Sequence, residues 1–164
     1  MLTLRPMQPQ DLALVVTYIK ELATYERDPD AAVVTLEDLR RFALKDDPLI
    51  YVLMAEWSGQ SAGFALWFLN FSTWEGKPGI YLEDLYIRPS FRNQGIGKAI
   101  MIYLARLAHA NNYSRIVWQV LDWNETSIAF YEKIRGKKMQ DWLTYRLSSS
   151  EIHQLAEQKS ELLP

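Results

Sequence analysis

The 164-residue chain contains no cysteine. Disulfides, thiolate metal sites and a cysteine nucleophile are thereby excluded. Its two histidines, His109 and His153, lie far apart in the sequence with no other metal-binding side chains clustered beside them, so no metal centre is expected. No apolar run approaches the ~20 residues that a membrane-spanning helix requires. The first residues, Met1-Leu2-Thr3-Leu4-Arg5, lack the basic region, apolar core and cleavage site of a signal peptide. A cytoplasmic protein with no membrane contact is the expectation. A surplus of one charge is missing too. The formal net charge of -2 argues against a nucleic-acid surface, which is usually strongly basic, and suits a small cationic partner better. Repeats, low-complexity tracts and linkers are also absent. A hydrophobic fraction of 49% with 23% charged residues then describes an ordinary globular chain, read as one domain over residues 1–164 and long enough to bury its own core.

The residues that are present set out an alternation of strands and helices. Leu2 to Arg5 reads as a first strand. From Asp11 to about Tyr25, Leu12, Val15, Val16, Ile19 and Leu22 recur at helical spacing, with Pro9 just ahead, where proline is tolerated. Thr35-Leu36-Glu37-Asp38 resembles a helix start, ending before Pro48. Strands follow at Ile50–Trp57 and Ala62–Phe71, joined by a turn at Ser58-Gly59-Gln60. A second turn, Gly76-Lys77-Pro78-Gly79, leads into a strand from Ile80 to Ile87. A long helix after Gly97, a strand at Ile116–Leu121, a helix capped by Asn124 and a strand at Trp142–Leu147 come next. Ser148-Ser149-Ser150-Glu151 offers a capping box for a last helix. Three consecutive strands with short turns must be antiparallel, and the long crossover after Ile87 returns a parallel partner. The expected fold class is α/β (α+β), a mixed central sheet of about six to seven strands flanked by helices.

The stretch Arg92-Asn93-Gln94-Gly95-Ile96-Gly97-Lys98-Ala99 joins the Ile80–Ile87 strand to the long helix. Strand, glycine-bearing turn and helix N-terminus together make an anion site. The first helical amides have no intrahelical partner and sit at the positive end of the helix dipole. Two nucleotide motifs fail here. The dinucleotide fingerprint requires a third glycine where Ile100 stands. The P-loop requires serine or threonine after Gly97-Lys98, where Ala99 stands.

What remains is R-x-x-G-x-G, from Arg92, Gly95 and Gly97. It resembles the pyrophosphate loop of the GNAT superfamily of acetyl-CoA-dependent N-acetyltransferases, and the expected topology resembles that fold. Trp123-Asn124-Glu125-Thr126-Ser127-Ile128-Ala129-Phe130-Tyr131 resembles the superfamily's N-x-x-(S/A)-x-x-F-Y segment. The resemblance is strongest to the diamine (spermidine/spermine) and thialysine acetyltransferase branch. It is carried by Lys20-Glu21-Leu22-Ala23-Thr24-Tyr25-Glu26, Tyr81-Leu82-Glu83-Asp84 and Asp122-Trp123-Asn124-Glu125. One departure stands out: the family's F-Y-x-x-x-G is here one residue longer, Phe130-Tyr131-Glu132-Lys133-Ile134-Arg135-Gly136.

The resemblance implies an N-acetyltransferase that moves the acetyl group of acetyl-CoA to a primary amine of a small cationic substrate, a diamine, polyamine or thialysine-like amine. It implies no metal, and a homodimer. With no cysteine to carry the acetyl group, attack is direct in a ternary complex. Glu83 would take the ammonium proton, directly or through water. Tyr131 would protonate the leaving thiolate, since a phenol near 10 lies close to a thiol near 8.5. The pyrophosphate would rest on Arg92, Asn93, Gln94, Gly95, Ile96, Gly97 and Lys98. The pantetheine arm would lie against Leu85, Tyr86 and Ile87, pairing with the strand edge as an added strand does, and against Asn124, Ser127 and Tyr131. Tyr25, Glu26, Trp74, Glu83 and Asp84 would line the amine pocket, where carboxylates and aromatics suit a cation. Two alternatives stay open, an acetyl-CoA-binding sensor module and a protein-amine acetyltransferase.

Overall fold

The computed structural model describes residues 1–158. They form two compact units, Met1–Ile128 and the described residues from Ala129 onward. The first unit holds a five-stranded sheet in the order β1-β2-β3-β4-β5. Its strands are β1 (Leu2–Pro6), β2 (Tyr51–Trp57), β3 (Gln60–Ser72), β4 (Lys77–Ile87) and β5 (Ile116–Trp118). Neighbours from β1 to β4 are antiparallel, and β4 pairs with β5 in parallel. The helices of this unit are α1 (Leu12–Tyr25), α2 (Leu36–Ala43) and α3 (Ile96–Ala110); α4 (Glu125–Lys133) begins in it.

Each helix start has a local cause. Thr35 and Asp38 form a reciprocal capping box at α2. Gly95, at φ +80°, occupies the left-handed region ahead of α3, a conformation that glycine adopts without steric cost. Asn124 accepts from the amide of Ser127 at 3.2 Å and caps α4.

Both faces of the sheet are covered. On one, Val52, Met54, Phe64, Leu66 and Tyr86 pack against Leu12, Val15 and Tyr18 of α1 and Leu39 of α2. The Tyr18 ring stacks on Phe64 at 5.8 Å, and its hydroxyl donates to Ser61. Residues on the other face, Leu53, Ala65, Trp67, Ile80 and Leu82, are buried without joining that cluster. They serve α3, whose Ile96, Ile100 and Leu104 are likewise buried, as period-2 alternation requires.

The pairing of β3 with β4 carries an irregularity that positions the site. Trp67 pairs with Leu82 and Leu66 with Asp84, leaving Glu83 as an extra residue. A bulge of this kind bends the strand and reverses the alternation beyond it. Leu82 therefore faces the α3 side, whereas Asp84 and Tyr86 face the α1 side along with Leu66. The pairing of β4 with β5 ends at Leu82 and Trp118. Among the described residues, no strand pairs with the β5-side edge of β4 from Glu83 to Ile87.

The second unit contains the rest of α4 and α5 (Ser149–Ala156), whose capping box is Ser148 with Glu151. Two expectations fail at this end of the chain. The strand expected at Trp142–Leu147 does not form, and residues 136–148 carry neither helix nor strand. An alternating pattern supplies only strand propensity; cross-strand pairing decides whether a strand forms. The β5 strand stops at Trp118 rather than Leu121, so the sheet has five strands among the described residues instead of six to seven. The turn expected at Gly76–Gly79 is shifted as well. It occupies residues 73–76, and Pro78 lies within β4 opposite Phe71, near the strand's start, where proline is tolerated.

Candidate active site

The bulge gathers acids. Glu83 is exposed at it, and Asp84 follows, partly buried on the α1 side. Burial, then the adjacent Glu83, then Glu26 push the Asp84 carboxyl up to about 7. Glu26 is the residue that ends α1, and desolvation by the surrounding chain raises its carboxyl too. The end of α1 and the bulge of β4 thus place both Glu26 and Glu83 within electrostatic reach of Asp84. A buried carboxylate with two acidic neighbours is costly unless a proton or a cation sits beside it.

Beside this wall runs a bridge of aromatic and guanidinium groups. Arg92 Nε donates to the carbonyl of Ile87 at 2.9 Å. Its guanidinium lies 4.7 Å from the Tyr25 ring centroid and 5.9 Å from that of Tyr86. The Tyr25 hydroxyl donates to Asn124 Oδ1 at 3.1 Å, the same oxygen that caps α4. Asn124 is buried at 7% exposure. The end of β4, the loop before α3, the end of α1 and the start of α4 are therefore joined through two side chains. Arg92 thus contacts a backbone carbonyl and two rings, and Tyr25 ties two elements together.

The anion loop has the expected construction. Asn93 is left-handed at φ +62° and Gly95 at +80°. The first backbone bond closing α3 is Ala99 N–H to Gly95 O at 3.0 Å, which leaves the amides from Gln94 to Lys98 ahead of the helical ladder. Gln94 and Lys98 are exposed. Leu85, Tyr86 and Ile87 lie along the open edge of β4, although the carbonyl of Ile87 is already taken by Arg92.

Trp74 and Tyr131 are the remaining expected residues. Trp74 sits in the β3–β4 turn, 86% exposed. Seven strand residues separate Asp84 from the start of β4 at Lys77, so the turn is on the order of 20 Å away at ~3.3 Å per residue. The structure does not bring Trp74 to the acidic wall. Tyr131 belongs to the second unit, where it is half-buried and its ring lies 5.1 Å from that of Phe130. The extra residue after it is accommodated at the end of α4. Gly136 N–H reaches Tyr131 O and Arg135 N–H reaches Glu132 O, with Arg135 left-handed at φ +69°. This is a helix-ending motif whose left-handed position normally takes glycine. The insertion moves Gly136 one place past it.

Sequence reasoning missed Arg27, Arg88 and Trp123 as members of this region. Arg88 makes a forked pair with Glu21, at 3.1 and 2.8 Å, which holds the Glu21 carboxyl below its usual range. Arg27 lies over the Trp123 ring at 4.1 Å. Trp123 was part of a quoted motif, but nothing local in the sequence pairs it with Arg27.

Residues 15–136 match the acetyltransferase (GNAT) family. The chain belongs to that family and is an acetyl-transferring enzyme. It is 32% identical over 153 residues to a thialysine N-epsilon-acetyltransferase of Caenorhabditis elegans, covering 92% of this chain and 94% of that protein. It is 30% identical over 164 residues to the spermidine/spermine N(1)-acetyltransferase-like protein 1 of Homo sapiens, covering 93% of this chain and 23% of that longer protein. In fold it is similar to an integron cassette protein from the mobile metagenome of V. cholerae, at a TM-score of 0.78 and 23% identity over 96% of this chain and 98% of that one.

Proposed function

We propose that the enzyme transfers the acetyl group of acetyl-CoA to a primary amine of a small cationic substrate, by direct attack in a ternary complex. The observation that carries this reading is the acidic wall of Glu26, Glu83 and Asp84 beside the open edge of β4. A cation is what a buried carboxylate with two acidic neighbours favours, and Asp84 near 7 carries the strain that such a cation would relieve. The open edge from Glu83 to Ile87 offers unpaired backbone groups to the pantetheine amides, and the amides from Gln94 to Lys98 offer a cradle for the pyrophosphate. Asn124 and Ser127 lie at the cap beside that edge.

In this reading Glu83 at the bulge takes the proton of the attacking amine, directly or through water, and Tyr131 supplies one to the thiolate. The role of Tyr131 rests on the F-Y motif. Relatives whose names specify thialysine and spermidine/spermine acetylation support an acceptor among ω-amino acids, diamines and polyamines. A cytoplasmic homodimer belongs to the same reading. The test is thiol release from acetyl-CoA across a panel of such amines, with the acetylated products identified by mass spectrometry. Release with at least one of these amines is expected; release with none of them, or only with peptide amines, rejects the assignment.

A further inference from the structure

Of the three arginines in this region, two are committed elsewhere. Arg88 is paired with Glu21, and Arg92 holds the carbonyl of Ile87. Arg27 follows Glu26 directly, and among the described residues no ion pair includes it. Asp28 and Asp30 are near in sequence but point into solvent without bonding it. What Arg27 has instead is an aromatic seat, with its guanidinium 4.1 Å from the centre of the Trp123 ring.

That seat matters chemically. A guanidinium stacked by its face keeps its N–H donors free in the plane, where a carboxylate can take two of them at once. The seat is also fixed in place. Trp123 precedes the buried cap Asn124, and its ring lies 6.2 Å from that of Tyr25. A donor held in one orientation binds its ligand at less entropic cost than a freely swinging one. The backbone points the same way. Arg27 holds φ +67° at the end of α1, so its backbone is set in a conformation that glycine would adopt with less strain.

The resulting pattern is Glu83 and Glu26 set against Asp84, with a stacked, unpaired guanidinium on the residue that follows Glu26. It complements a zwitterion with an ammonium at one end and a carboxylate at the other. It does not complement a diamine, whose second ammonium would meet the like charge of Arg27. We propose that Arg27, seated on Trp123, is a specificity-determining residue that binds the carboxylate of the acceptor, so that the enzyme acetylates the ω-amino group of an α-amino acid in preference to a diamine. The proposal rests on the acidic wall being the amine site.

The test uses three acceptors of one length: a lysine-like ω-amino acid such as thialysine, its α-carboxamide and the decarboxylated diamine. Each is assayed by thiol release with the wild-type protein, Arg27→Gly and Arg27→Glu. The wild type should favour the free acid over the carboxamide by roughly 10- to 100-fold in kcat/KM, the range of a charge-assisted hydrogen bond, expressed chiefly in KM. Arg27→Gly suits the left-handed backbone, so the variant should fold at least as well as the parent, and the ratio should fall toward one. Arg27→Glu should turn the preference toward the diamine. Equal wild-type values for the acid and its carboxamide, or an equal loss on all three acceptors in Arg27→Gly, overturn this proposal alone. Thiol release with none of the three in the wild type overturns the acidic-wall reading together with it.

Discussion

The protonation of Asp84 should govern both the stability of the protein and its binding of amine. In the folded chain the carboxyl is raised from 3.8 to about 7 by burial, Glu83 and Glu26, in that order. In the unfolded chain it regains its ordinary value. Between those two pH values the folded state holds a proton that the unfolded state has lost, so stability contributed below pH 3.8 disappears as pH rises through about 7. The separation corresponds to about 4 kcal/mol at 1.36 kcal/mol per pH decade. Asp84→Asn preserves the shape and removes the titration. In urea unfolding at a series of pH values, the wild type should lose stability from pH 4 to 7 and then level off. The variant should lack that decline and become the more stable of the two above pH 7, by up to about 4 kcal/mol. Amine binding provides a second readout. A cation against Asp84 draws its pKa down, so at pH 7 binding should release up to roughly half a proton, seen by calorimetry in buffers of different ionisation enthalpy. Parallel stability curves for the two proteins, with no proton released on binding, would refute the reasoning.

Four further outcomes are expected. Tyr131→Phe should lower kcat by about 10²- to 10⁴-fold, the usual worth of a general acid, while equilibrium dialysis finds acetyl-CoA affinity unchanged; undiminished turnover would remove the acid role. Glu83→Gln should lower kcat by a similar factor and alter the pH–rate profile, and an identical profile would discard Glu83 as base. Gly63→Ala should destabilise by about 1–3 kcal/mol as an overpacked site does, because the new methyl would stand 2.1 Å from the carbonyl of Tyr86; a denaturation midpoint equal to the parent's would show that β3 can move aside. Arg135→Gly should stabilise by roughly 1 kcal/mol, the cost of a left-handed non-glycine residue, and a lowered midpoint would contradict the helix-ending geometry.

What the sequence makes legible is what local chemistry decides. The helices α1, α2 and α3, the caps at Thr35, Asn124 and Ser148 and the turn at Gly95 depend on residues a few positions apart, and all of them can be read in advance. The site splits along the same line. Glu83, Asp84 and Glu26 could be nominated from motifs, but the bulge that turns Asp84 toward α1 could not. Ile80 to Ile87 reads as an unbroken strand, and only its pairing with β3 exposes the extra residue. The contacts of Arg92 with Tyr25 and the Ile87 carbonyl have no signal in the sequence. The seating of Arg27 on Trp123 joins residues almost a hundred positions apart, for which no periodicity exists. The segment Trp142–Leu147 shows the opposite error, where an alternating pattern is not by itself a strand.

The central claim is that acetyl-CoA and a primary amine meet in one site and react without an acetylated enzyme between them. The direct measurement is the initial rate of thiol release with acetyl-CoA and an ω-amine varied together. Saturable release dependent on both, with double-reciprocal lines that intersect, is the predicted result. Parallel lines, which mark an acetyl-enzyme intermediate, or release that ignores the amine, would contradict the account.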